Sequence, residues 1–443
     1  MKHILIATLS IFILFNLVIV SGCKKKSTKA YNTNSKIHFR QEKGKWQLYL
    51  NEKPYFIKGA HGYIKPEWVQ ELGGNSLLVY ESEVSDSLLD KATSLNLTVS
   101  ISLQIEKFYN NENNYKNPQF IKEQRDRIEA TVRKYSRHPA VLFWIVGNEL
   151  HIQRRLNLSY WNEVNEISKM IHRIDTVHPT TTTIAAYPTA TYQPLQLKLA
   201  TPDIDFWSLT IYEFAPRIGR ELDNFLWGCE KPILVTEWGG KPYWDCELTD
   251  WNAILEPSST QNAQNFTHNY YLIFKENETQ MIGGYVFYWG TKQERTHTSF
   301  SLLPENKFKS QATEQLKYIW SGKNPINYCP RIDTIFIENS QSAKSNFLAP
   351  DSLYNVHIKA HDPDKDSIWM RWEVRLEGEY YGKTGGAHEA STQIVIQSDS
   401  IFLFQNSFSI QTPDQAQQLR LFVYLYDRNQ NIATANIPFM TIK

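Results

Sequence analysis

The chain has 443 residues, with 47 Lys and Arg residues against 46 Asp and Glu residues, and 42% of its residues are hydrophobic. This length predicts more than one domain. The balanced charge offers no basic surface for a phosphate backbone, so it argues against nucleic acid as a partner.

The first 23 residues have the pattern of an export signal. A basic start precedes an apolar run from Ile4 to Val20, which fits a cleaved secretion signal and also approaches the length of a membrane anchor. The Ser-Gly-Cys sequence at residues 21–23 resembles a bacterial lipoprotein signal, which implies that Cys23 becomes the lipidated N-terminus. We therefore expect residues 24–36 to form a polar tether to the membrane of the bacterial cell envelope, on its periplasmic side or at the cell surface.

From residue 37 to residue 328, short apolar strands alternate with amphipathic helices, which is the pattern of a parallel βα fold. The predicted strands are Tyr55–Gly59, Ser76–Tyr80, Leu97–Leu103, Val141–Val146, Thr181–Ala185, Phe206–Ile211, Ile233–Thr236 and Gly284–Trp289. The predicted helices include Pro118–Tyr135, Ser159–Ile174 and Gln261–Lys275. Eight strands with intervening helices predict an α/β fold of the (β/α)8 TIM-barrel type rather than an open doubly wound sheet.

Two of these strands lead into a glutamate. Val141–Val146 is followed by Gly147, Asn148 and Glu149, and Ile233–Thr236 is followed directly by Glu237. Each carboxylate would stand at the C-terminal edge of a strand that is buried on both faces. One such glutamate is more often a solvated strand end. A pair of them roughly 5 Å apart is what retaining glycoside hydrolysis requires, with one acid/base and one nucleophile.

The Asn148-Glu149 pair and the Thr-Glu-Trp-Gly context of Glu237 together resemble clan A of the glycoside hydrolases, which are retaining (β/α)8-barrel enzymes. The resemblance implies that Glu149 is the acid/base, that Glu237 is the nucleophile and that Asn148 donates to the sugar 2-hydroxyl. It also implies that Tyr212, after strand six, binds the nucleophile, and that Trp289, at the end of strand eight, forms the floor of the sugar subsite.

Two further residues at strand ends are candidate substrate contacts. Trp238 adjoins the predicted nucleophile, and His61 follows strand one, where it is either a sugar contact or a structural rim residue.

The strand order and the opening Tyr55–Gly59 look most like the family 2 catalytic domain and related β-glucan-acting branches. The resemblance thus implies a retaining β-glycosidase or transglycosylase that acts on a β-linked oligo- or polysaccharide, without cofactor or metal. Two other classes stay open, because a barrel hosts many functions: a catalytically silent carbohydrate-binding lipoprotein and a structural envelope protein.

The chain departs from the family pattern in strand two. Family members commonly place an arginine there that pairs with the nucleophile, whereas this sequence has Leu78. A buried carboxylate without a cation has a raised pKa, so either activity is low or another cation, such as Lys241 or Lys292, takes that place. After strand eight, residues 296–300 replace a Thr-Trp pairing common in related chains.

From residue 329 to residue 443 the helical periodicity gives way to period-two alternation, which predicts a small β-sandwich that either binds glycan or supports the barrel. The segment 360–364 resembles immunoglobulin- or cadherin-like modules. Its acidic cluster at residues 362–366 is either a plain turn or a calcium site. Besides Cys23 the chain has only Cys229, Cys246 and Cys329, from which we expect no disulfide framework.

Overall fold

A computed structural model describes residues 36–106, 112–150, 158–185, 199–222, 231–340, 342–378 and 389–442. The export signal, the predicted lipidation site Cys23 and nearly all of the tether lie outside these ranges, as does Cys229. Cys246 and Cys329 are buried free thiols. Among the helices of the described ranges, none is both long enough and apolar enough to cross a membrane.

An antiparallel three-stranded sheet closes the N-terminal end of the barrel. Its strands are β1 (Ile37–Glu42), β2 (Lys45–Leu50) and β3 (Lys53–Pro54). Ile37, Phe39 and Leu48 are buried in one apolar cluster with residues of the barrel strands. The Phe39 ring lies 5.1 Å from the ring of Phe206 and 6.2 Å from that of Phe143. The sequence does not single out this sheet, because apolar and polar residues alternate in it over only a few positions.

Within the described residues, parallel strands form the barrel wall. They are β4 (Ile57–His61), β5 (Ser76–Tyr80), β6 (Thr98–Leu103), β7 (Val141–Val146), β8 (Thr180–Thr181), β9 (Thr183–Ala185), β10 (Trp207–Thr210), β11 (Ile233–Trp238) and β12 (Met281–Val286). Their order is β8-β7-β6-β5-β4-β12-β11-β10-β9. β8 and β9 are two halves of strand five, separated by Thr182, and they pair with β7 and β10, respectively. The wall therefore closes, and the predicted TIM barrel is confirmed.

Two predicted barrel strands, Ser76–Tyr80 and Val141–Val146, have the predicted bounds. Strand eight differs, because it spans Met281–Val286 and the chain leaves the sheet before residue 287. The residues predicted to end strand eight, including Trp289, therefore lie beyond it.

α-Helices of the described ranges connect the strands. They are α1 (Pro66–Leu72), α2 (Asp86–Ser94), α3 (Pro118–Tyr135), α4 (Leu158–Ile174), α5 (Ile218–Leu222), α6 (Ser259–Tyr270) and α7 (Gln311–Ser321). A π-helical turn, Tyr271–Lys275, extends α6, and short 3-10 turns span Glu112–Lys116, Ala215–Arg217, Tyr243–Asp245 and Pro304–Asn306. α6 begins at a capping box in which Ser258 accepts from the Gln261 N–H and the Gln261 side chain accepts from the Ser258 N–H.

The C-terminal part is an all-β sandwich, as predicted. Its strands are β13 (Lys309–Ser310), β14 (Arg331–Ile337), β15 (Phe347–Leu348), β16 (Leu353–His361), β17 (Trp369–Leu376), β18 (Ile394–Gln397), β19 (Phe402–Leu403), β20 (Ser407–Gln411), β21 (Gln418–Tyr426) and β22 (Asn431–Thr441). One sheet has the order β13-β22-β21-β17-β18, with β15 beside β22 and β19 beside β17, and the other has the order β14-β16-β20. Residues from both sheets, such as Val356 and Val374, share one apolar core.

Candidate active site

The two predicted catalytic glutamates stand at the C-terminal ends of β7 and β11. Glu237 belongs to β11 and its side chain is almost fully buried. Glu149 follows β7 through Gly147, and both residues have left-handed backbone conformations, with φ of 51° for Glu149 and 82° for Gly147. This conformation is uncommon for a residue with a side chain.

Three sequence-predicted residues surround the Glu237 carboxylate. The Asn148 side-chain amide donates to Glu237 Oε1 at 3.4 Å, and the Tyr212 hydroxyl donates to Oε2 at 3.5 Å. The His61 Nδ1 atom lies 3.5 Å from Oε1. These side chains come from the ends of strands four, six and one, so the barrel brings together residues that are far apart in sequence.

The charge of Glu149 acts on Glu237, which places the two carboxylates in one electrostatic environment. Burial and the negative charge of Glu149 raise the pKa of Glu237 well above its ordinary value. The positive charge of Lys292 and the hydrogen bond from Asn148 lower the pKa, and Glu294 raises it. Two carboxyl groups that interact in this way titrate as a pair, and one of them holds a proton while the other ionises.

The positive charge of Lys292 lowers the pKa of Glu237. The Lys292 Nζ atom lies 3.3 Å from Glu294 Oε2, and both side chains are buried. Leu78 lies in the apolar cluster inside the barrel. Lys292 therefore provides a positive charge from the segment after strand eight that partly offsets the raised pKa of Glu237.

His61 is a neutral imidazole at the base of the site. Burial, with a contribution from Lys292, lowers its pKa to about 3. Its ring packs against Tyr80 and Phe287, with centroid distances of 4.9 Å and 5.1 Å. Among the described residues, neither ring nitrogen has a hydrogen-bond partner, although Nδ1 lies 3.5 Å from Glu237 Oε1.

Two residues predicted as substrate contacts, Trp238 and Trp289, pack in the core. Trp289 has no exposed surface, its Nε1 donates to the Ile64 carbonyl at 2.6 Å and its ring lies near Trp320. Trp238 is 1% exposed and packs with residues of α6 and of the π-helical turn. Successive residues of a strand point to opposite faces, so a Glu237 that faces the cavity directs Trp238 towards the helices.

The structure adds aromatic residues that the sequence interpretation missed. Phe287 and Tyr288, the first residues beyond strand eight, lie against His61 with ring distances of 5.1 Å and 6.2 Å. Trp244 is 36% exposed and its ring lies edge-on to Tyr212 at 5.6 Å. Tyr80 borders the site as well. Burial raises the pKa of its hydroxyl most, and the negative charges of Glu237 and Glu149 raise that pKa further. In the sequence, Tyr80, Phe287 and Tyr288 lie in the last residues of predicted strands two and eight.

The acidic turn of the sandwich forms the one three-carboxylate group found among the described residues. Ligand oxygens of Asp362, Asp366 and Asp427 lie within 4.8 Å of one another. The Asn327 amide donates to Asp366 at 2.7 Å, and the Asn431 amide donates to Asp427 at 2.7 Å. Hydrogen bonds of this kind stabilise a plain turn, and the calcium alternative remains an expectation from the sequence.

Comparison with known proteins agrees with this architecture. Residues 88–301 match the family described as "Glycosyl hydrolases family 2, TIM barrel domain". No curated protein sequence matches the chain.

Two solved structures of similar fold were compared. A GH2 β-galacturonidase from Eisenbergiella tayi bound to galacturonate is 17% identical with a TM-score of 0.50, over 65% of this chain and 54% of that one. A β-glucuronidase from Ruminococcus gnavus is 15% identical with a TM-score of 0.50, over 64% of this chain and 53% of that one. At this identity the likeness shows the fold alone, and the chain spans about half the length of both structures. Residues 88–301 therefore lie in a TIM barrel whose sequence is similar to the barrel domain of glycosyl hydrolase family 2.

Proposed function

We propose that the protein is a retaining β-glycosidase that hydrolyses or transglycosylates β-linked glycans, with Glu237 as the nucleophile and Glu149 as the acid/base. The observation that carries this proposal is the environment of Glu237. It is buried at the end of β11, accepts hydrogen bonds from Asn148 and Tyr212, and lies within the electrostatic reach of Glu149.

Three contacts support the proposed role of Glu237 as the nucleophile. Asn148, Tyr212 and Lys292 all favour the ionised form of Glu237. These contacts oppose the rise in the pKa of Glu237 that burial and the charge of Glu149 cause. In the proposed mechanism Glu237 reacts in its ionised form, and its negative charge keeps a proton on Glu149. A carboxylate and a neutral carboxylic acid are the two forms that the first step of a retaining mechanism requires.

The reaction then proceeds by double displacement. Glu237 attacks the anomeric carbon while Glu149 donates its proton to the leaving oxygen, which gives a glycosyl ester and a free alcohol. Glu149, now ionised, removes a proton from water or from an incoming sugar hydroxyl as that oxygen attacks the anomeric carbon and releases Glu237. Water as acceptor gives hydrolysis, and a sugar gives transfer.

We propose that side chains around the two glutamates bind the sugar ring. The neutral ring of His61 offers nitrogens to sugar hydroxyls, and Phe287 and Tyr288 offer aromatic faces. The partly exposed Trp244 lies beside Tyr212, where a second sugar unit can stack. We propose these residues, with Asn148 as donor to the sugar 2-hydroxyl, as the substrate contacts.

We also propose a location and a domain plan. Residues 1–23 form a lipoprotein signal that leaves Cys23 as the lipidated terminus, and residues 24–36 form the tether. Residues 37–328 form the catalytic domain and residues 329–443 an immunoglobulin- or cadherin-like sandwich. The enzyme would then act on glycans at the bacterial cell envelope. The sequence pattern before and after Cys23 supports this plan, and palmitate labelling of the wild type and of Cys23→Ala would test it.

The activity is tested by product release from a panel of β-linked glycans, measured by mass spectrometry with the chain lacking residues 1–23. Wild-type protein should release product, and Glu237→Gln should not. Glu163→Gln is the matched control, because Glu163 is an equally buried barrel carboxylate that pairs with Arg125 in the helix layer. NMR of the first-formed anomer should show retention, and inversion would contradict the mechanism.

The alternative is a sugar-binding protein without catalysis, which Leu78 in strand two favours. In that case the wild type would bind glycans without releasing product, and Glu237→Gln would bind them equally well. Product formation by the wild type alone rejects this alternative.

A further inference from the structure

The segment that follows strand eight, residues 290–301, is polar in sequence but buried in the structure. We call it the strand-eight loop. Its buried polar members are Lys292, Gln293, Glu294, Arg295, Thr296, Thr298, Ser299 and Ser301. Buried polar groups are costly unless they are hydrogen-bonded, so the surroundings of this loop must supply partners.

One side of the loop faces the two glutamates. Lys292 lies 3.3 Å from Glu294 and 5.6 Å from the centre of the Phe287 ring. The Phe287 ring packs on His61, whose Nδ1 lies 3.5 Å from Glu237. A chain of contacts thus connects the loop to the predicted nucleophile, and the positive charge of Lys292 lowers the pKa of Glu237.

The other side of the loop faces the β-sandwich. His297 Nε2 lies 2.5 Å from the Tyr424 hydroxyl, and that hydroxyl donates to Glu373 Oε1 at 2.6 Å. Burial lowers the pKa of His297 to about 4, so the ring is neutral and its Nε2–H donates to Tyr424. Although burial opposes ionisation of Glu373, hydrogen bonds from Arg375 and Tyr424 keep its pKa below the ordinary value. A buried, ionised carboxylate of the sandwich therefore anchors the loop.

Further hydrogen bonds fix the loop to the sandwich on either side of His297. The Arg295 N–H donates to Glu389 at 2.7 Å, and the Glu389 N–H donates to the Gln293 carbonyl at 3.3 Å. The Asn436 amide donates to Thr298 Oγ1 at 3.3 Å. Without the sandwich, these groups would be exposed to water and the loop would regain the conformational freedom that folding removed.

We propose that the β-sandwich contributes to the active site. It fixes the strand-eight loop and thereby holds Lys292 where its positive charge acts on Glu237. Tyr424 is in this view a positioning residue that acts through His297. The fixing of the strand-eight loop by the sandwich does not depend on any activity. The effect of Lys292 on catalysis rests on the proposed function, since that function gives Glu237 the role of nucleophile.

Two pairs of variants in the full chain test whether the sandwich fixes the loop and whether the charge of Lys292 acts on Glu237. Tyr424→Phe removes the hydroxyl between His297 and Glu373 and keeps the ring. Tyr354→Phe is its control, because the Tyr354 hydroxyl accepts from the Ala349 N–H at 2.9 Å within the sandwich. Lys292→Met removes the charge directly, and Lys292→Arg restores a cation at the same place.

The first measurement is hydrogen–deuterium exchange of residues 290–301, which needs no activity. Since a hydrogen bond to a charged group is lost, Tyr424→Phe should speed exchange of the loop roughly tenfold. Tyr354→Phe should leave the loop unchanged at equal melting temperature. Wild-type exchange rates in the loop of Tyr424→Phe would overturn the proposal.

The second measurement is a 13C NMR titration of the Glu237 carboxyl, assigned by its loss in Glu237→Gln. Lys292→Met and Tyr424→Phe should both move this titration to higher pH, and Lys292→Arg should restore it. If the wild type is active, Lys292→Met and Tyr424→Phe should each lower kcat with little change in KM. The acidic limb of the pH profile of kcat should also move to higher pH in both variants. An unmoved titration in Lys292→Met would overturn the proposal. A wild type without activity but with the expected exchange and titration would contradict only the proposed function.

Discussion

The Asn148 side-chain amide donates to Glu237 Oε1 at 3.4 Å, although 89 positions separate the two residues in sequence. They lie at the ends of β7 and β11, where the curvature of the barrel brings strand ends together. The contact joins the Asn-Glu motif of one strand to the predicted nucleophile of another. A substitution of Asn148 should therefore change the pKa of Glu237.

Removal of either carboxyl group should abolish turnover. We expect Glu237→Gln and Glu149→Gln each to lower kcat at least about 10³-fold, because residues that act as a unit in catalysis are each indispensable. The melting temperatures should change little, since glutamine has a similar shape. Azide added to Glu149→Ala should restore turnover of an activated aryl glycoside, and an equal loss of activity in Glu163→Gln would show that the effect is not specific.

Asn148→Ala should lower kcat/KM by about 10²-fold, which is typical for the loss of one preorganised donor. It should also move the acidic limb of the pH profile upwards, because its hydrogen bond lowers the pKa of Glu237. Asn165→Ala is the control, since Asn165 binds Asp203 away from the site at 2.8 Å. An Asn148→Ala profile identical to the wild type would contradict the role of this contact.

The protein should lose stability on mild acidification through its buried neutral histidines. Burial lowers the pKa of His61 to about 3 and that of His297 to about 4, below the unfolded value near 6.5. The unfolded chain thus takes up protons first, so these residues contribute stability that is complete above about pH 6.5 and declines as the pH falls towards their folded values.

Urea unfolding at about pH 7 and about pH 4.5 measures this effect. We expect the difference in unfolding free energy between the two conditions to shrink by about 2 kcal/mol in His61→Gln, in line with the roughly 1.4 kcal/mol per pKa unit of linkage. His357→Gln, on the partly exposed surface of the sandwich, should leave the difference unchanged. An unaltered difference in His61→Gln would refute the neutral, buried state of this ring.

Phe287 and Trp289 should give opposite phenotypes. Phe287→Ala should raise KM for the substrate, because its ring borders the site beside His61. Trp289→Ala should lower the unfolding free energy by about 3–5 kcal/mol, the typical cost of a lost core tryptophan, whereas Trp289→Phe should retain KM. A large change of KM in a stable Trp289→Phe protein would restore Trp289 as a substrate contact.

The sequence by itself determined the barrel and the sandwich, because apolar periodicity directly reflects which residues of a strand or helix are buried. It also determined Glu149, Asn148, Tyr212, His61 and Glu237 as residues at strand ends. A charged residue at the end of a strand that is buried on both faces must reach the surface, a cavity or a partner, so the two glutamates indicated which end of the barrel carries the site.

Only the tertiary structure decided which way the side chains near those ends point and which distant charges meet. Trp238 and Trp289 belong to the core, since strand alternation and the early end of β12 turn them away from the site. The charge of Lys292 reaches Glu237 from an irregular loop that the sandwich holds in place. Such a loop has no periodicity to read, because its conformation depends on hydrogen bonds to residues more than one hundred positions away in sequence.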